Sequence, residues 1–113
     1  MVVSSVLARA RAILQDDIEP YRFSDAYLMA RYSDAQQQLG LLRPDLLATT
    51  TFGATALIDV TVASTAAAFD ESLRMPLAYL TCEQVYLTED SDAGNVRQAS
   101  QMRQKYEQAM TGF

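Results

Sequence analysis

Histidine and tryptophan are absent from this 113-residue chain, and cysteine occurs once, at position 82. Without histidine the chain lacks the commonest metal ligand and the usual general base near neutral pH. Serine and cysteine triads lose their proton acceptor for the same reason. A single cysteine excludes an intrachain disulfide and a thiolate zinc cluster, and its neighbours Leu80 and Val85 place Cys82 as a buried thiol rather than a reactive one. Glycine is sparse and scattered, so there is no phosphate-cradling loop. Positive charge is also short: nine basic residues stand against fourteen acidic ones, for a net charge of -5 and a pI near 4.5. The basic residues form no run, which argues against a protein that grips nucleic-acid phosphates. Long apolar runs are missing too. Arg9 and Arg11 break the first such stretch, so no signal peptide is expected. The least charged stretch, 48–68, carries Asp59 near its centre, where a carboxylate inside a membrane costs roughly 3 kcal/mol. Neither a cofactor nor a membrane partner is expected.

What is present is a single domain, 1–113, half of whose residues are hydrophobic. Val3, Val6, Leu7, Ala10, Ile13 and Leu14 repeat at helical spacing and predict a helix over 4–15, with Ser4 or Ser5 as its cap and Arg9 and Arg11 off the apolar stripe. Pro20 disfavours helical geometry at Glu19, and Ser24 followed by Asp25 marks the start of a second helix that runs to about Leu42. Leu28, Tyr32, Ala35, Leu39 and Leu42 form its apolar face, and Arg31, Asp34, Gln36 and Gln37 its wet side. A third helix over about 70–89 has Pro76 early, where a missing N–H is tolerated, so its regular part begins near Met75. Its apolar residues lie nearly all round, the mark of a central helix. Val96, Ala99, Met102, Tyr106, Ala109, Met110 and Phe113 then stripe a fourth.

Between the second and third helices the period changes. Phe52, Ala54, Ala56, Ile58, Val60 and Val62 alternate with Gly53, Thr55, Leu57, Asp59 and Thr61, the period-two signature of a strand. With Gly53 in place, one long strand and a short hairpin both fit. The expected fold class is therefore mainly α: a four-helix bundle-like domain with an extended β-arm or short hairpin over 47–69. About fourteen extended residues span about 45 Å, so one arm can reach a neighbouring subunit while a hairpin crosses only its own. Phe52, Ile58, Val60, Val62 and Phe69 are the candidate subunit-interface residues of that arm.

The acidic clusters (Asp16 with Asp17, Asp70 with Glu71, Glu89 with Asp90 and Asp92) fall at helix ends and turns and are expected to be solvated charges. "DSDAGN" lacks the twelfth-position glutamate of a calcium loop, Gln101 standing there instead. The fourth-helix stripe is expected to be a core face. Phe113 is the exception, because a large aromatic on a flexible end needs a fold-back or a partner. As a docking face, the stripe contributes Tyr106, Met110 and Phe113.

The segment "VLARARAILQDDIEPYRFSDAYLMARYSDAQQQLGLLRPD" resembles the head–tail connector, or adaptor, proteins of tailed bacteriophages: an Arg-rich first helix, a Pro-Tyr/Arg turn, Ser-Asp-Ala opening a second helix, and a Leu-Arg-Pro-Asp close at Leu42 to Asp45. "DESLRMPLAYLTCEQVYLTEDSDAGNVRQASQMRQKYEQAM" is similar to that family's C-terminal helical pair. The resemblance implies a structural virion protein rather than an enzyme: a helical subunit forming a ring of about twelve copies. Such a ring sits at the virion neck, assembled in the host bacterial cytoplasm, between the portal protein and a tail or nozzle protein. DNA passes through its channel without specific binding, and an acidic wall would let it slide. Tyr106, Met110 and Phe113 become the implied portal- or tail-docking residues. The alternative reading is a small helical regulatory module that docks a single partner through its C-terminal helix.

Overall fold

The computed structural model of the chain describes residues 2–16, 18–46, 49–50, 53–54, 69–88 and 93–113. Its helices are α1 (Val3–Leu14), α2 (Asp25–Leu42), α3 (Arg74–Thr88) and α4 (Ala93–Ala109), with 3-10 turns at Pro44–Leu46 and Glu71–Leu73. Strands β1 (Thr49–Thr50) and β2 (Gly53–Ala54) pair antiparallel, Thr49 opposite Ala54 and Thr50 opposite Gly53. This ladder is the only pair of strands among the described residues, with single bridge residues at Val2 and Phe69 besides, and most of the expected 47–69 arm lies outside the described residues.

Every helix is placed by α3. Leu77, Ala78, Leu80, Thr81, Cys82, Glu83 and Val85 are all buried on it, so no side of its middle turns faces water. It packs against α1, α2 and α4, whereas α1 and α2 meet only briefly and α4 approaches no other helix backbone among the described elements. Long-range hydrogen bonds give the directions. Arg31, near the start of α2, donates to Thr88 Oγ1 at the end of α3, while Arg103 of α4 donates to Gln38 late in α2. The chain therefore runs up, down, up, down, with the α1–α2 loop and the α3–α4 turn at one end.

Polar groups buried on α3 are accommodated locally. Thr81 Oγ1 donates to the Leu77 carbonyl at 2.8 Å, and the Cys82 thiol points at the Ala10 carbonyl of α1 at 3.6 Å. Burial pushes the Cys82 thiol up to about 12, so it stays protonated and unreactive near neutral pH.

The helix ends follow the local chemistry with one exception. Ser24 caps α2, its hydroxyl accepting from the Tyr27 N–H at 3.1 Å. Asp70 caps the turn before α3 by accepting from the Ser72 N–H, and Pro76 falls in α3's first turn, where an N–H has no helical partner. The exception is α1, which starts behind Val2 without a side-chain cap. Ser5 Oγ is a donor to the Val2 carbonyl, so neither Ser4 nor Ser5 is the cap expected from sequence.

Arg11 departs most from a reading by periodicity. It lies off the apolar stripe yet is 7% exposed, folded inward at the α1–α2 junction. Its Nη1 donates to Asp16 Oδ2 at 2.9 Å and to the Phe23 carbonyl at 3.0 Å, and its Nη2 to Asp25 Oδ1 at 2.7 Å. Asp16, also buried, accepts from the Arg22 and Phe23 N–H groups as well. Two ion pairs that share Arg11 thus tie the end of α1 to the loop and to the first turn of α2. Gln36 is likewise buried rather than wet, and Leu42 is 47% exposed rather than part of the apolar face.

Burial of Asp16 raises its carboxyl pKa, but the backbone donors of Arg22 and Phe23 and the Arg11 charge outweigh it and hold it below the ordinary 3.8. A depressed folded-state pKa contributes stability that is present above the unfolded value and lost as pH falls through the folded one. Asp16→Asn is expected to cost about 2 kcal/mol at neutral pH, because it weakens the charge-assisted bonds to Arg11, Arg22 and Phe23 while Arg11 keeps Asp25. That cost should shrink below pH 4 in urea titrations of the two proteins. Tyr32 is fully buried, and its hydroxyl has no hydrogen-bond partner among the described residues. Tyr32→Phe is therefore expected to stabilise the protein by about 1 kcal/mol, read from the same titrations.

Candidate interaction sites

The candidate residues fall into two sets that the fold treats differently. Of the arm set, Phe52, Ile58, Val60 and Val62 lie outside the described residues. Phe69 is described, and it is 2% exposed in the main core cluster beside Leu73 and Leu77. Its assignment to a subunit interface is corrected: the aromatic just ahead of Asp70 is pulled inward because it must cover the first turn of α3. Leu46, which also packs on the core, and Phe69 place the start and finish of the intervening segment at one end of the bundle, where α2 ends and α3 begins.

The C-terminal set divides along helix geometry. Tyr106 is 5% exposed and belongs to the core, Met110 packs partly against it, and Phe113 is 43% exposed. A three-residue docking face is therefore not presented; Tyr106 is packing. Phe113 does not hang free either. The chain turns through Gly112 at φ 100°, the Phe113 N–H returns to the Met110 carbonyl at 3.1 Å, and Arg43 Nη1 donates to the Phe113 main-chain oxygen at 2.7 Å. Arg43 also grips both oxygens of Asp45, which holds that carboxyl below its ordinary value.

Beside this clasp lies an open groove of about 360 Å³ lined by Leu42, Arg43, Arg103, Tyr106, Glu107, Met110 and Thr111. Leu41, 83% exposed, continues the apolar surface along α2. Leu42 reads in sequence as the end of the α2 stripe, whereas Leu41 falls by helical spacing on the wet face with Asp34 and Gln37. The floor of the groove carries Arg103, whose Nη1 is shared between Gln38 Oε1 at 3.2 Å and Glu83 Oε1 at 3.4 Å. Glu83 is buried, and that desolvation raises its pKa; Arg103 opposes the rise and Glu107 adds to it. These groups form a structural ion cluster with each carboxylate beside a guanidinium, and no proton acceptor stands clear of a cation there.

At the opposite end the Arg11–Asp16 pair holds a loop that periodicity could not flag. Tyr21 lies under Arg11, 4.0 Å from guanidinium carbon to ring centroid. Arg22 covers Phe23 at 4.4 Å, Phe23 stacks on Tyr27 at 5.4 Å, and Arg31 closes the series over Tyr27 at 5.3 Å. A cleft of about 400 Å³ opens among Arg22, Phe23, Ser24 and Tyr27. Ile18, 81% exposed, stands in the same loop. The signal available in sequence was the Pro-Tyr-Arg-Phe-Ser-Asp run itself, dense in aromatic and basic residues.

Among the described residues, no group of three or more His, Cys, Asp or Glu side chains could hold a metal ion, and no helix is long and apolar enough to cross a membrane. Because burial raises the Glu83 pKa, the charged form is a liability to the fold: stability is withheld above the raised folded-state value and gained as pH falls through it toward the ordinary 4.5. Glu83→Gln is expected to raise the urea midpoint at pH 7, with the advantage vanishing near pH 4. Arg103 keeps Gln38 and Glu107 in that variant, so no cation is stranded. Compared with protein-family models, with curated proteins and with solved structures, the chain matches none.

Proposed function

We propose that this chain is a structural virion protein, a head–tail connector subunit that forms a ring between portal and tail around the DNA channel. The observation that carries the reading is the Pro20–Asp25 segment. These residues bear the most distinctive part of the resemblance to connector proteins, and in this chain they form one unit locked by Arg11 and Asp16. A motif whose residues share one buried network has a physical reason to travel together. The net charge of -5 also suits a channel wall that must let phosphates slide past.

In this reading the segment between Leu46 and Phe69 is the subunit-bridging arm. It departs and returns at one end of the bundle, a placement that suits reaching a neighbour. Pairing with a neighbouring copy would satisfy its backbone groups and hide an edge prone to aggregation. Portal or tail contact falls to Phe113 with Met110 and the exposed Leu41 and Leu42, and Tyr106 supports them from within the core. The groove beside Met110 also favours a second reading, a helical module that seats one partner there.

Replacing Ile58 and Val60 together with lysine is expected to leave the helical body folded by circular dichroism and to abolish ring formation in sedimentation velocity, since charge would be forced into an apolar contact. Outright unfolding would instead return those residues to the subunit's own core. A reconstruction of the particle neck tests the function itself. A ring of this chain below the portal is the expected result, and a one-to-one complex with a cellular partner favours the second reading.

A further inference from the structure

α2 and α4 both lie against α3, and among the described elements their backbones do not meet. The gap between them, at the end where α2 stops, is an apolar groove with two walls. Leu41 and Leu42 stand on the α2 side, 83% and 47% exposed, and Tyr106 and Met110 on the α4 side. Adjacent leucines left in water mark a surface that another segment covers. One charge in the groove is loosely held. Arg103 meets Glu83 at 3.4 Å and Glu107 at 3.8 Å, the two longest ion pairs among the described residues, whereas Arg43 is gripped by Asp45 at 3.0 Å.

We infer that in the single chain this groove seats residues 56–62 of the chain itself, with Ile58 and Val60 on the leucine wall and Asp59 beside Arg103. Position, length and chemistry select this occupant. Leu46 and Phe69 both pack on the core at the groove's end of the bundle, so the segment between them leaves and returns beside it. The fourteen residues 55–68 lie outside the described residues, and a chain of that length spans at most about 48 Å, enough to run out and back by about 24 Å. Between Asp45 and Asp70 the only charged residue is Asp59, set among Leu57, Ile58 and Val60. An aliphatic stretch with one carboxylate matches an apolar groove with one loosely held guanidinium. The period of two sends positions 58 and 60 to one side and 59 to the other, as an aliphatic wall facing a cationic one requires. Because the occupant is tethered, its effective concentration at the groove is on the order of millimolar, above that of a free partner. The inference concerns the chain before any assembly and does not rest on the ring reading; to bridge subunits, these residues would first leave this seat.

Thiol labelling tests this, because Leu41 and Ile18 are exposed to the same degree, 83% and 81%, on different ends of the bundle. Leu41→Cys and Ile18→Cys variants, shown folded by circular dichroism, are alkylated with a maleimide at a dilution where sedimentation finds single chains. Each site's rate is read by peptide mass, apart from the buried Cys82, and divided by its rate in urea. The expected result is that position 41 labels tenfold or more slowly than position 18, and that adding Ile58→Lys with Val60→Lys brings the two level. Equal rates without those lysines overturn the inference, whatever the chain does in a ring. Protection at position 41 that appears only at concentrations where chains associate also overturns it, and gives the groove to a second copy. The ring reading is judged separately, by the particle neck, so the two failures are distinguishable.

Discussion

A helix with no wet side in its middle turns is a demand on everything around it. Leu77, Leu80, Cys82 and Val85 are spread around α3 and all are buried, so several elements must cover them. Each of those apolar side chains loses roughly 1.5–3 kcal/mol if left in water. α1 covers one side, α2 a second and α4 a third, which is why α3 contacts every helix while the outer ones contact each other little. Phe69 and Leu73 close the start of the same helix. Up-down-up-down connectivity follows, since two outer helices joined by a short loop must run in opposite directions to lie along one central partner.

The two ends of the bundle solve different problems. At the α1–α2 end the helices barely touch, and the Arg11–Asp16 pair, buried on both sides, joins them through charge-assisted hydrogen bonds, with the more exposed Asp25 adding a second contact. At the other end Arg43 makes similar bonds to Asp45 and Phe113, but in water, where such contacts contribute little. The first end is rigid and presents side chains outward. The second holds an open groove under a light clasp.

Nothing in the described ion clusters behaves as a poised acid or base. Asp16 is held ionised by its donors, Glu83 shares Arg103 with its neighbours, and the Cys82 thiol is pushed up by burial to about 12. The shifts record packing, and the candidate sites consist of exposed aliphatics, aromatics and guanidiniums.

Four helices were legible because each rule involved is local. The spacing of Val3, Val6, Leu7 and Ala10, the Ser24 cap, the Pro76 position and the all-round apolar face of α3 act within a few residues of themselves, and the fold honours each. The missed Ser4/Ser5 cap is also local: a hydroxyl can donate as readily as accept, and Ser5 donates. Tertiary structure alone decided the rest. Arg11 reads as a surface charge until Asp16, Phe23 and Asp25, five to fourteen residues away, converge on it. Phe69 reads as part of an arm until α3 requires a lid, and Tyr106 and Phe113 share a stripe that the turn at Gly112 breaks, leaving one inside and one out. Periodicity states which residues share a face of a helix. What that face meets is settled by burial and charge pairing between segments distant in sequence, and those are properties of the assembled bundle.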